Sequence, residues 1–125
     1  MIDKHSQTIA IVDDDDAVLD SCRFILELNN IPVSVYSSAL ALLESDIAQV
    51  MGLIVDQHMP MMTGLELAAK LRAEGLDIPV MLITSSPSAA ILARAREIGV
   101  WGVLEKPPGE SDLIAFIRSC EPPPP

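Results

Sequence analysis

A chain of 125 residues, half of them apolar and only 3% aromatic, is sized for one domain with a core of Ile, Leu, Val, Ala and Met. Its formal net charge of −10 excludes a domain that grips a nucleic-acid backbone, because each phosphate contact relies on Lys or Arg. No apolar stretch approaches the ~20 residues needed to cross a bilayer, and residues 1–5 lack the basic, apolar, small-residue order of a signal peptide, so the expected compartment is the cytoplasm.

The first aliphatic segment, Thr8-Ile9-Ala10-Ile11-Val12, reads as a strand and runs directly into Asp13-Asp14-Asp15-Asp16. A solvated acidic run costs little. At the end of a buried strand the same run is expensive unless a cation joins it. Asp15 and Asp16 read as acids at the start of the following helix, favoured by the helix dipole. Val33 to Tyr36 is a second strand, and Ser38 opens a helical stretch containing Leu40, Leu42, Leu43 and Ile47. Gly52 to Val55 is the third strand, ending at Asp56. Thr63-Gly64-Leu65-Glu66 then fits a capping box, with Leu65, Leu67, Ala68 and Leu71 as the apolar face. Pro79 to Ile83 is the fourth strand, and the spacing predicts a helix over Ala89 to Ile98 that Gly99 stops. Val100 to Leu104 is the fifth, and Asp112 to Cys120 the last helix. Cys22 and Cys120 have neither CxxC spacing nor a His pair nearby and read as plain thiols. The proline run 122–125 favours a stiff polyproline II tail, or the start of a linker, after a domain over 1–121.

Strands that alternate with helices at this spacing imply βαβ crossovers, hence an α/β fold with a parallel sheet covered on both faces. In such a sheet ligands bind beyond the carboxyl ends of the strands. The residues there are Asp13 and Asp14 after the first strand, Asp56 after the third, Thr84 after the fourth and Lys106 after the fifth. Three carboxylates, a hydroxyl and an ammonium make the inventory for phosphoryl transfer to a carboxylate. Two carboxylates ~5 Å apart repel by roughly 3 kcal/mol at an effective dielectric of 20. Mg²⁺, with Mn²⁺ as a substitute, removes that conflict through hard oxygen ligands. Asp56 is then the nucleophile, and Lys106 and Thr84 are charge stabilisers for the phosphoryl oxygens.

The order Ile11-Val12-Asp13-Asp14, Val55-Asp56, Met59-Pro60, Gly64, Ile83-Thr84-Ser85 and Glu105-Lys106-Pro107 resembles the receiver domain of two-component response regulators, a flavodoxin-like fold. The resemblance runs from about Ile9 to Cys120. It implies a doubly wound (βα)5 sheet in the order 2-1-3-4-5 and Asp56 as phosphoacceptor. It also implies Asp13, Asp14, Asp56 and the backbone carbonyl of His58 as metal ligands, and a cis Lys106–Pro107 bond. The implied partners are a sensor histidine kinase or a phosphotransfer protein. The implied dimer is phosphorylation-dependent, through the fourth helix, fifth strand and fifth helix. Such a domain catalyses only its own phosphorylation and dephosphorylation and signals to a partner or an attached effector domain.

Two positions depart from that pattern. Val103 stands where relatives place a Tyr or Phe switch, and a β-branched side chain has little room for two positions. Trp101 shares strand parity with Val103 and is the candidate to cover the same surface. Pro108-Gly109 replaces an aromatic that often follows the first proline. His58 neighbours the acceptor as a candidate influence on dephosphorylation, and His5 is assigned no role. Met59, Met61 and Met62 read as loop packing. An independent phosphotransferase would need a second Asp where His58 stands, a calcium loop would need alternating ligands and a central Gly, and a P-loop would need a Gly-rich turn.

Overall fold

A computed structural model describes residues 7–121; the readings of His5 and of the proline run 122–125 lie outside them. The strands are β1 (Thr8–Val12), β2 (Val33–Tyr36), β3 (Val50–Asp56), β4 (Val80–Thr84) and β5 (Gly102–Glu105). They form one parallel sheet in the order β2-β1-β3-β4-β5. The helices are α1 (Asp16–Leu28), α2 (Ala39–Leu43), α3 (Gly64–Ala73), α4 (Ala89–Ile98) and α5 (Glu110–Cys120). The doubly wound α/β expectation holds in class, order and strand direction.

Two apolar layers flank the sheet, and strand periodicity assigns each residue to one. Ile9, Ile11, Ile54, Met81 and Ile83 pack with α1 and α5, whereas Ala10, Val12, Leu53, Val55 and Leu82 pack with α2, α3 and α4. The middle three strands are therefore buried on both faces, which explains why they read as unbroken aliphatic runs.

Several element ends differ from the sequence reading, each for a capping reason. Ile47 is not in the helix that Ser38 opens. Ser45 Oγ turns back to Leu42 O, and Asp46 starts a separate 3₁₀ turn (Ile47–Gln49) by accepting from Ala48 N–H. Val100 does not begin β5. Gly99, at φ 82°, and Val100 both bond back to Ala95 O as the Schellman close of α4, so the strand starts at Gly102. The last helix begins at Glu110, two residues before the expected Asp112. Gly109 gives it no side-chain cap, and Glu110 and Asp112 are its first-turn acids. The Thr63–Glu66 capping box is present in both directions.

Trp101 corrects a second expectation. It precedes the strand, so strand parity does not govern it. Its ring meets Phe116 of α5 edge-to-face at 5.2 Å, while Val103 packs into the layer under α2, α3 and α4. Trp101 therefore does not cover the surface of Val103. The methionines divide as well: Met59 is buried in the core, Met62 is half-buried, and Met61 is fully exposed at φ 74°. With Leu40, Leu43 and Pro60, Met61 and Met62 line a cavity of about 380 Å³. Loop packing thus accounts for Met59 and Met62 and not for Met61.

Candidate functional site

Strand register and strand parity together assemble the site. Val12 pairs with Val55, so Asp13 and Asp56 stand level at adjacent strand ends. Asp13 continues the parity of Ile9 and Ile11, Asp56 that of Ile54, and Lys106 that of Leu104, so all three leave the sheet on the α1–α5 side. Thr84 continues the parity of Leu82, toward α3 and α4.

Local bonds hold each residue. Asp13 N–H extends the ladder to Tyr36 O, and its Oδ1 accepts from Asp15 N–H at 2.9 Å, turning the chain into α1. Asp15 is the N-cap of α1 through Ala17 N–H, and Asp16 is its first helical residue, as read. Gly64 allows α3 to begin directly against the acceptor: a Cβ there would lie 2.7 Å from Asp56 O, a distance only glycine avoids. Thr84 is fully buried, its Oγ1 accepting from Ser86 N–H, and its carbonyl takes the N–H of Lys106. The Lys106–Pro107 bond is cis, as the resemblance implied, and Pro108 is buried.

Carboxylate oxygens of Asp13, Asp14 and Asp56 lie within 4.8 Å of one another. Asp13 is 0% exposed and Asp56 3%, while Asp14 faces solvent. Lys106 Nζ reaches Asp13 Oδ2 at 2.9 Å and Asp56 Oδ1 at 3.2 Å. The expensive acidic run at a buried strand end therefore already has one cation, from β5. Desolvation raises the Asp13 carboxyl above its ordinary value; the Asp15 N–H and Lys106 oppose this and the Asp56 charge adds to it. Desolvation would lower the Lys106 ammonium, but its two carboxylate partners outweigh that and the net shift is upward.

These residues fit a divalent cation. The donors are all hard oxygens, and Asp13 Oδ2 is buried with no aligned hydrogen bond besides its ion pair with Lys106. One ammonium leaves three neighbouring acids with net negative charge, which a second cation would offset.

His58, two residues past Asp56, is an exposed loop residue whose side chain makes no hydrogen bond or ion pair among the described residues. One neighbour escaped the sequence reading, and a second bears it out as a plain buried thiol. Gln57 is buried beside the acceptor and its Oε1 accepts from Leu65 N–H at 2.9 Å; its place directly after Asp56 was the only signal. Cys22 is buried near Asp13, and desolvation, with the Asp13 charge adding, pushes its thiol up to about 11. Cys22 and Cys120 are both free.

The family model for the response regulator receiver domain matches residues 9–118. Among curated proteins, the chain is 35% identical over 116 residues to transcriptional regulatory protein FixJ of Azorhizobium caulinodans, covering 92% of this chain and 55% of that protein. It is 36% identical over 122 residues to response regulator protein TmoT of Ectopseudomonas mendocina, covering 96% and 54%. The crystal structure of FixJ-N superposes with a TM-score of 0.81 at 30% identity, over 96% of this chain and 94% of that one. The chain thus spans about half the length of the curated relatives it matches. No helix among the described residues is long and apolar enough to cross a membrane.

Proposed function

Because this chain belongs to the response regulator receiver domain family, we propose that Asp56 accepts a phosphoryl group from a sensor histidine kinase or a phosphotransfer protein in the cytoplasm. The observation that carries this reading is the convergence of Asp13, Asp14 and Asp56 within 4.8 Å around the Lys106 ammonium. Asp13, Asp14, Asp56 and the backbone carbonyl of His58 would hold Mg²⁺, or Mn²⁺ in its place. When bound, the cation screens the acids and draws charge from the phosphoryl oxygens.

Lys106 occupies Asp56 Oδ1, which leaves Oδ2 as the attacking oxygen. A new bond forms from Oδ2 to phosphorus as the donor's bond to phosphorus breaks, with the electron pair leaving on the donor atom. Lys106 then turns from carboxylate to phosphoryl oxygen, and the Thr84 hydroxyl donates a hydrogen bond to another. Moving Thr84 toward Asp56 costs its bond from Ser86 N–H and shifts the segment that leads to Ser88, the N-cap of α4. In α4 only Ala95 is buried, so little packing resists such a shift. The readout runs through this helix, with Val103 fixed and Trp101 on Phe116, toward a homodimer over α4, β5 and α5, another partner or an attached effector domain. The domain turns over no free substrate and grips no nucleic acid itself.

Incubation with Mg²⁺ and a small acyl phosphate, followed by intact mass, tests the reading. One phosphoryl adduct is expected in wild type, and none with EDTA or in Asp56→Asn. An unmodified wild type, or an adduct that persists in Asp56→Asn, refutes it.

A further inference from the structure

The residue after the acceptor has its backbone and its side-chain oxygen committed at once. Gln57 N–H bonds Ile83 O of β4 at 2.9 Å, and Gln57 O accepts from Gly64 N–H at 3.2 Å. Its side chain is buried, and Oε1 accepts from Leu65 N–H at 2.9 Å. Gly64 and Leu65 open α3, and their N–H groups have no partner inside the helix. The named N-cap, Thr63, satisfies Glu66 N–H instead. Gln57 therefore acts as a second, remote cap, and it binds one turn of helix to the strand end that carries Asp56.

The loop between these two anchors, residues 58–63, is held by Met59 in the core and by half-buried Met62, and has few backbone bonds of its own. His58, Pro60 and Met61 are exposed, Met61 sits at φ 74°, and Met62 N–H reaches back only to Pro60 O. The loop's first peptide carries the His58 carbonyl. From this geometry we infer that Gln57 is the positioning residue for the metal site: its clamp on α3 fixes the direction in which the His58 carbonyl leaves the sheet edge. The inference rests on the metal-binding reading above, and extends it to a side chain that touches no metal. A group that aims a ligand from outside the coordination sphere typically matters by 10–100-fold in metal affinity.

Gln57→Met keeps the length and burial of the side chain but gives Leu65 N–H no acceptor. Gln57→Glu restores the acceptor; its charge is favoured by the helix N-terminus and opposed by Asp56 beside it. Mn²⁺ affinity, read by electron paramagnetic resonance, is measured beside thermal stability for wild type, both variants and Ser88→Ala. Ser88 lies outside this loop and caps α4 through Ile91 N–H, so removing it costs stability without touching the bonds of Gln57. The expected result is at least 10-fold weaker Mn²⁺ binding in Gln57→Met, recovery in Gln57→Glu and no change in Ser88→Ala. Equal binding in Gln57→Met and wild type, an equal loss in Ser88→Ala, or no recovery in Gln57→Glu overturns the inference while wild-type binding leaves the metal reading standing. Wild type that fails to bind Mn²⁺ overturns both.

Discussion

Asp13→Asn should stabilise the metal-free protein and abolish its response to Mg²⁺. At 4.8 Å, the outer limit of their separations, and an effective dielectric of 20, two of these carboxylates repel by about 3.5 kcal/mol. Lys106, at 2.9 and 3.2 Å, offsets most of this for two of the three acids. The Asp13 carboxyl is raised chiefly by desolvation, with the Asp56 charge a smaller contribution. A carboxyl whose folded value is raised favours the fold while protonated, and that advantage is lost as pH rises above 3.8 and through the folded value. At pH 7 ionised Asp13 is therefore a net cost. The amide removes the charge and keeps an oxygen for Asp15 N–H. The two repulsions on Asp13 exceed the attraction of Lys106 at 2.9 Å by about 1 kcal/mol on the same dielectric, so a gain of that order without metal follows, roughly 4 °C in Tm for a domain of this size. Mg²⁺ at 100 times its Kd stabilises wild type by about 2.7 kcal/mol, near 10 °C, so the ranking of the two proteins reverses when the metal is added. Thermal unfolding followed by circular dichroism, in EDTA and in Mg²⁺, measures both quantities. An Asp13→Asn protein that melts below wild type in EDTA, or gains as much from Mg²⁺, refutes the reasoning.

Gly64→Ala should destabilise by about 1–3 kcal/mol in urea titration despite the better helix propensity of Ala, because Cβ meets Asp56 O at 2.7 Å and Leu82 Cδ1 at 2.6 Å; a neutral result would mean that α3 can lift off β3 freely. The Glu66 carboxyl is lowered below 4.5 by its bonds with Thr63, so its contribution is present above pH 4.5 and lost as pH falls through the folded value. Glu66→Gln should flatten that arm of the stability–pH curve, and an unchanged acid arm would contradict the capping box. Burial raises the thiols of Cys22 and Cys120 to about 11. Neither should be alkylated in native protein at pH 8, and both should react in denaturant. Rapid native labelling of Cys22 would show that the α1–sheet layer opens.

Local periodicity along the chain is enough to read part of this protein. Aliphatic runs marked the strands, their ends placed Asp13, Asp14, Asp56, Thr84 and Lys106 on one sheet edge, and Thr63 with Glu66 marked the start of α3. The order of motifs supplied the 2-1-3-4-5 sheet, since alternation alone leaves strand order open. Tertiary structure decided whatever depends on residues far apart in the chain meeting at side-chain distance. That Lys106 bridges Asp13 and Asp56 depends on how β5 stands relative to β1 and β3 across β4. That Trp101 leaves the Val103 side for Phe116 depends on the close of α4, which delays the strand and cancels its parity. The role of Gln57 depends on an N–H eight residues away, exposed by a helix end that Gly64 lets approach the sheet. Periodicity says which face a residue takes, and only packing says which atom it meets there.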